Sequence, residues 1–180
     1  MPFTLHRRLT GGGALLKKRS HVRDRLNAGF KLDADFAGPV KFVIDESTEG
    51  RRMPTLFTTP AFVTKRAFYE ALLAGGVDNI DPYAVEIVDR ATSQRFDDEY
   101  LFLNVVGRAE CADLAASEYG EMGPDLRMIN RLVLDGSKMP DTHIFRLADD
   151  ITKIVVSDHL KDHLSAAAYE DVHFEPVLVK

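Results

Sequence analysis

The sequence predicts an α+β fold with a mixed or antiparallel sheet. Two observations carry this. Strand-like apolar runs dominate the middle of the 180-residue chain. One pattern also occurs twice: an apolar strand ends in a hydroxyl residue, a short amphipathic segment follows, and a turn leads into another strand. The first copy runs Phe62-Val63-Thr64, a helix from Lys65 to Ala74, Gly75-Gly76-Val77-Asp78-Asn79-Ile80, and the strand Tyr83 to Val88. The second runs Ile154-Val155-Val156-Ser157, a helix from Asp158 to Ala168, Tyr169-Glu170-Asp171-Val172, and the strand Phe174 to Val179. Thr64 and Ser157 stand 93 positions apart, too far for a solenoid period. The copies therefore read as a duplicated strand–helix–strand element whose helices pack on a common sheet.

The elements follow in order. Residues 1–31 stand apart as a basic arm. Gly11-Gly12-Gly13 is a hinge. After it, Ala14 to Leu26 has Leu15, Val22 and Leu26 on one side at helical spacing, with Asn27-Ala28-Gly29 as the stop, so the arm is expected to be helical beyond Gly13. Residues 32–180 read as a single α+β domain. Val40 to Asp45 is its first clear strand. Pro54 and Pro60 bracket an extended piece, because a proline pushes its predecessor out of the helical region. In copy one, Thr64 is the expected N-cap, Gly75-Gly76 the stop, and Ala67, Phe68, Ala71 and Leu72 the buried stripe. Glu99 to Val106 is dense in β-formers, and Ala109 to Ala116 reads as weakly helical or irregular. Arg127 to Leu134 and Thr142 to Leu147 read as strands. In copy two, Ser157 is the N-cap, Asp158 suits the positive helix start, and Leu160, Leu164, Ala167 and Ala168 face the core.

Composition bounds the class. Hydrophobic content of 45% and charged content of 28% are those of a globular protein. No apolar run reaches the length of about eighteen residues that spans a bilayer, and the N-terminus shows no secretory apolar core. No membrane association is expected. A cytoplasmic location is expected, and the single Cys111 suits it, since one cysteine forms no internal disulfide.

Charge is uneven. Residues 1–31 hold eight Lys/Arg against one acid, a balance of +7, and the remainder balances at −12, which gives the net −5. An acidic body repels nucleic acid and attracts basic protein surfaces. A nucleic-acid-binding regulator would use Arg7, Arg8, Lys17, Lys18, Arg19, Arg23 and Arg25. The acidic body and the single aromatic Phe3 before Phe30 argue against it. The amphipathic arm also offers a seam for a homodimer.

Catalytic patterns are sparse. His159 and His163 are spaced i,i+4, as a metal-dependent enzyme requires, but the glutamate of a zinc-protease helix does not follow His159 and no third ligand is evident by spacing. Solvated helix positions explain the pair as well. No Gly-x-Ser-x-Gly elbow or phosphate-binding lysine loop is present. Glu110 sits beside Cys111, which disfavours a thiolate, and a small buried hydrophobe is the plain reading. No cofactor is expected. Asp97, Asp98, Glu99, Asp149 and Asp150 form acidic runs, ordinarily hydrated surface, and are candidates for a partner contact.

Three stretches resemble a family. These are His143-Ile144-Phe145-Arg146-Leu147, then Lys153 to Lys161 with Val155-Val156-Ser157 at its centre, then Asp171-Val172-His173-Phe174-Glu175-Pro176. Tyr100-Leu101-Phe102-Leu103-Asn104-Val105-Val106 and the following Cys111 to Tyr119 add to them. Together they are similar to a bacterial family of immunity proteins of polymorphic toxin systems, formerly a domain of unknown function. The resemblance covers residues 40–180 and rests on apolar fold markers. Copy one matches less closely, with Thr64 in place of serine and Lys65-Arg66 where polar or acidic residues are common. The resemblance implies a cytoplasmic, non-enzymatic protein that neutralises a toxin encoded beside it, and it supplies no catalytic residues. An acidic surface would steer such a protein to a basic, nuclease-type toxin.

Overall fold

The computed structural model describes residues 1–7, 16–18, 29–31, 39–44, 53–123 and 126–180. Strand dominates, as expected for the α+β class. The chain begins β1 (Phe3–Arg7), β2 (Leu16–Lys18), β3 (Val40–Ile44), β4 (Leu56–Phe57), β5 (Val63–Lys65), α1 (Arg66–Ala74), β6 (Ile80–Asp89) and β7 (Tyr100–Val105). It continues β8 (Arg108–Ala109), β9 (Glu118–Gly123), β10 (Leu126–Arg131), β11 (Val133–Leu134), β12 (Ile144–Leu147) and β13 (Ile154–Val156). It finishes with α2 (Asp158–Ser165), β14 (Val172–Pro176) and β15 (Leu178–Val179). Six strands form one sheet in the order β2-β3-β6-β7-β5-β4, and five form another in the order β14-β1-β13-β12-β8. β9 pairs antiparallel with β10, and β11 parallel with β15.

The duplication is real, but each copy has its own sheet rather than sharing one. β4-β5-α1-β6 corresponds to β12-β13-α2-β14. In each, the strand before the helix makes an antiparallel pair with the strand preceding it. The strand after the helix does not pair with the strand before it. One further strand lies between them, antiparallel to both: β7 in the first copy and β1 in the second. The two strands flanking each helix thus run parallel, as a helical crossover requires, with a gap one strand wide. In the first copy the gap is filled by the next strand in sequence. In the second it is filled from the far N-terminus.

This corrects the reading of the N-terminal arm. Phe3–Arg7 is an inner strand whose Phe3, Thr4 and Leu5 are buried. Its backbone donors and acceptors need partners on both sides and find them in β13 and β14. Leu16–Lys18 is extended and pairs antiparallel with β3, not helical. The rest of the expected helix, 14–15 and 19–26, lies outside the described residues, as does the Gly11–Gly13 hinge.

Alternation along the strands creates three apolar layers. In β7, Leu101, Leu103 and Val105 face the helices, whereas Tyr100 and Phe102 face the opposite side. In β13, Ile154 and Val156 face the helices and Val155 faces away. The central layer joins both sheets and both helices through Phe3, Leu5, Phe68, Leu72, Leu160 and Leu164. Each such side chain contributes roughly 1.5–3 kcal/mol when fully buried. The two helices approach closely at Gly75, where a Cβ would lie 2.6 Å from Leu160 Cδ1.

Local details differ from expectation in four places. Thr64 does not cap α1. It lies in β5, fully buried, between Leu56 and Leu101, and the capping position falls to Lys65 without a side-chain bond. Ser157 does cap α2, its Oγ accepting from Leu160 N at 3.2 Å. α2 ends at Ser165, short of Ala168, which turns the chain with φ 51°. Arg127–Leu134 splits into β10 and β11, and Arg108 to Gly123 holds β8 and β9 around an irregular stretch. Asn79 and Thr55 make long-range bonds, of which those to Ile144 and Asp171 tie the copies together. Asn79 Nδ2 donates to Val106 O and Ile144 O, at 2.8 and 2.9 Å, and Thr55 N donates to Asp171 Oδ2 at 2.6 Å.

Candidate functional site

The acidic residues singled out in sequence occupy two separate places. Asp97 and Glu99 flank a short 3-10 turn beside β6. Asp97 accepts from Ile87 N at 2.7 Å and from Arg95 Nε at 2.8 Å, so its carboxylate secures the β6 edge. Glu99 is exposed, and the Asp98 side chain lies outside the described residues. Asp149 and Asp150 sit beside β10. Asp149 pairs with Arg127 Nη1 at 3.1 Å.

Asp150 is not a surface acid: it is 2% exposed. Its Oδ2 accepts from Ile129 N at 3.0 Å, and its Oδ1 accepts from Thr152 N and Oγ1 at 3.1 and 2.6 Å. A buried carboxylate must be hydrogen-bonded, and this one satisfies a strand N–H that no neighbouring strand reaches.

His159 and His163 do not converge with a third ligand. Among the described residues no group of three or more His, Cys, Asp or Glu is placed to hold a metal ion. His159 instead stacks against His143, with ring centroids 4.9 Å apart. His143 Nδ1 lies 3.0 Å from Ser157 Oγ, the same hydroxyl that caps α2. His163 lies over the end of α1, where a Cβ on Gly75 would stand 3.0 Å from its ring. His159 and His163 are both exposed, in keeping with solvated positions on α2 whose buried side chains are Leu160 and Leu164. Cys111 is buried, and burial pushes its thiol up to about 11, far from the thiolate a nucleophile needs.

Basic residues are also drawn inward. Arg7 lies with its guanidinium 5.2 Å from the Phe57 ring centroid, and burial lowers its pKa while Asp171 opposes the shift. Arg146 is 2% exposed, and burial lowers it to about 10. Its Nη1 donates to Ile151 O at 2.8 Å, while Nε and Nη2 have no hydrogen-bond partner. Apart from Arg7, no side chain of the basic residues proposed to contact nucleic acid lies among those described.

The exposed feature that sequence reading passed over is the β9–β10 hairpin. Ile129 anchors one face of it in the layer behind the five-stranded sheet, with Cys111, Leu134 and Phe145. Met122 and Met128 are 63% and 52% exposed. By strand alternation Met128 projects from the face opposite Ile129, and Met122 lies at the register shift between Leu126 and Arg127. Glycines at 120 and 123 open the ribbon further, since a Cβ at either would meet nothing within 4 Å. Tyr119 lies under Arg127, 5.6 Å from guanidinium carbon to ring centroid, and Arg131 bonds Glu118 at 2.7 Å.

The two edges of this hairpin differ. Arg127 N donates to Asp149 O and Ile129 N to the Asp150 carboxylate, so the outward N–H groups of β10 at these positions are taken. Their cross-strand partners are Glu121 and Tyr119. In an antiparallel ladder such pairs aim their backbone groups away from each other, so the N–H and C=O of Tyr119 and Glu121 face outward on β9. Among the described residues no strand pairs with that edge. Residue-type patterns gave one clue, the strand-forming alternation from Arg127 onward. The two glycines in β9 hid its partner.

Among the described residues no helix is long and apolar enough to cross a membrane. No curated protein matches the chain. The sequence profile of the Immunity protein family (Imm11) matches residues 6–179, which takes in both copies of the repeat and the last two residues of β1. With nearly its whole length matched, the chain belongs to the Imm11 family of immunity proteins.

Proposed function

We propose that this protein binds a cognate bacterial toxin in the cytoplasm and neutralises it by surface contact, without catalysis of its own. The family match over residues 6–179 carries this reading. The balance of −12 over residues 32–180 supports a basic toxin as partner, because an acidic field accelerates capture of a basic protein and weakens as salt rises. A nuclease-type toxin fits that sign of charge. Of the acids proposed as contacts whose side chains are described, Glu99 is exposed and free to take part, whereas Asp97, Asp149 and Asp150 are tied to internal partners.

The test is direct. The toxin domain encoded in the neighbouring reading frame is expressed alone and together with this protein. Growth arrest by the domain alone, rescue on co-expression and co-elution of the two proteins are expected. A toxic domain that this protein neither rescues nor binds would remove the proposal. Replacing Glu99 by lysine is expected to slow association at low salt and to leave dissociation nearly unchanged.

A further inference from the structure

We infer that the free edge of β9 is the docking point for the toxin, which adds an extended, basic strand to it; this deepens the toxin-binding role proposed above and rests on it. Three features of the hairpin lead there. The outward N–H and C=O groups of Tyr119 and Glu121 form a ready template for another strand, with no described strand paired to it. β10, by contrast, has its outward N–H groups at Arg127 and Ile129 bonded to Asp149 and Asp150, so among the described residues β9 is the more open edge of the ribbon. Met122 and Met128 are both exposed on the hairpin, and such flexible, polarisable side chains mould to a partner after the backbones pair.

Charge decides between partners. Glu121 lies opposite Arg127, but Arg127 is held by Asp149 and Tyr119, which leaves the exposed Glu121 facing solvent. Glu118, on the same strand, is already paired with Arg131. A second copy of this edge would bring the Glu121 of each copy into one seam, which is unfavourable, whereas a strand bearing lysine or arginine would be matched. The orientation of Asp150 also acquires a purpose: by holding Ile129 it keeps the ribbon flat against the body and presents β9 outward.

The probe is the purified toxin domain from the neighbouring reading frame. Glu121→Pro deletes one outward N–H and leaves the β9–β10 ladder intact, since that N–H makes no bond to β10. Glu121→Gln keeps the N–H and removes only the charge. Glu121→Pro is expected to weaken toxin binding by about tenfold, chiefly through faster dissociation, and Glu121→Gln by less. Hydrogen exchange on the wild-type complex needs no variant and should show the Tyr119 and Glu121 amides newly protected. Unchanged affinity in a folded Glu121→Pro variant, or protection confined to other segments, defeats the docking point while the toxin-binding role stands. Wild-type protein that fails to bind a toxic domain defeats both. A wild-type dimer that Glu121→Pro makes monomeric, with toxin affinity unaltered, assigns the edge to self-association and defeats the inference.

Discussion

At the residue scale, the side chains that matter most are polar groups that the fold has taken inside. Asp150 is the clearest. Asp150→Ala leaves Ile129 N and Thr152 without acceptors, and stranding a buried donor costs about 1–3 kcal/mol. A urea midpoint lowered accordingly, with fast exchange of the Ile129 amide, is the expected result. Arg146 works in the opposite direction, because a buried guanidinium with one acceptor gains little from its charge. Arg146→Met is expected to hold stability or raise it by about 1 kcal/mol, and a large loss in thermal unfolding would contradict that. His6 gives a pH signature. Burial, followed by the charge of Lys153, lowers its pKa below the ordinary 6.5, with Glu175 opposing. The folded state therefore favours the neutral ring, and the unfolded chain takes up the proton first. Its stabilising contribution is complete above 6.5 and disappears as pH falls through the lowered folded value. Urea midpoints measured across that range should fall less steeply in His6→Gln than in the wild type.

At the element scale, both helices and most strands could be read from spacing, and their caps only in part. Ser157 was readable as a cap because a hydroxyl preceded an acidic first turn, and Ser157→Ala is expected to lose about 1 kcal/mol in chemical unfolding. Thr64 also places a hydroxyl before a helix, though one whose start reads Lys65-Arg66 and not an acid, and it means something else. Its strand is buried on both faces, so β-branching, not capping, explains it. The β9 strand was illegible, since glycine at 120 and 123 removes the side chains on which alternation is judged. The acidic runs were legible as charge but not as location. Sequence adjacency put Asp149 beside Asp150, and nothing in it told which one would turn inward to meet Ile129.

At the scale of the whole molecule, the duplication was visible while its closure was not. Copy two looked complete in sequence, yet its sheet requires Phe3–Arg7, and a short basic stretch beside a glycine run reads as an appendage. Composition averaged over residues 1–31 concealed Phe3, Leu5 and their alternation. Leu5 is 2% exposed in the central layer, so Leu5→Ala is expected to cost about 2–5 kcal/mol, far more than any change in an appendage. Because that layer joins both sheets, far-ultraviolet circular dichroism and tyrosine fluorescence should report one coincident transition. Separate midpoints for the two signals would show the halves unfolding independently.

The position of β1 sets an order of events on the ribosome. Its partners β13 and β14 are polymerised roughly ten to thirty seconds after it at ordinary translation speeds. The first half can close on strands of its own, but Phe3–Arg7 must wait unpaired until the far later β13 and β14 emerge. The nascent protein thus carries a sticky apolar strand that only residues made about 150 positions later can quench.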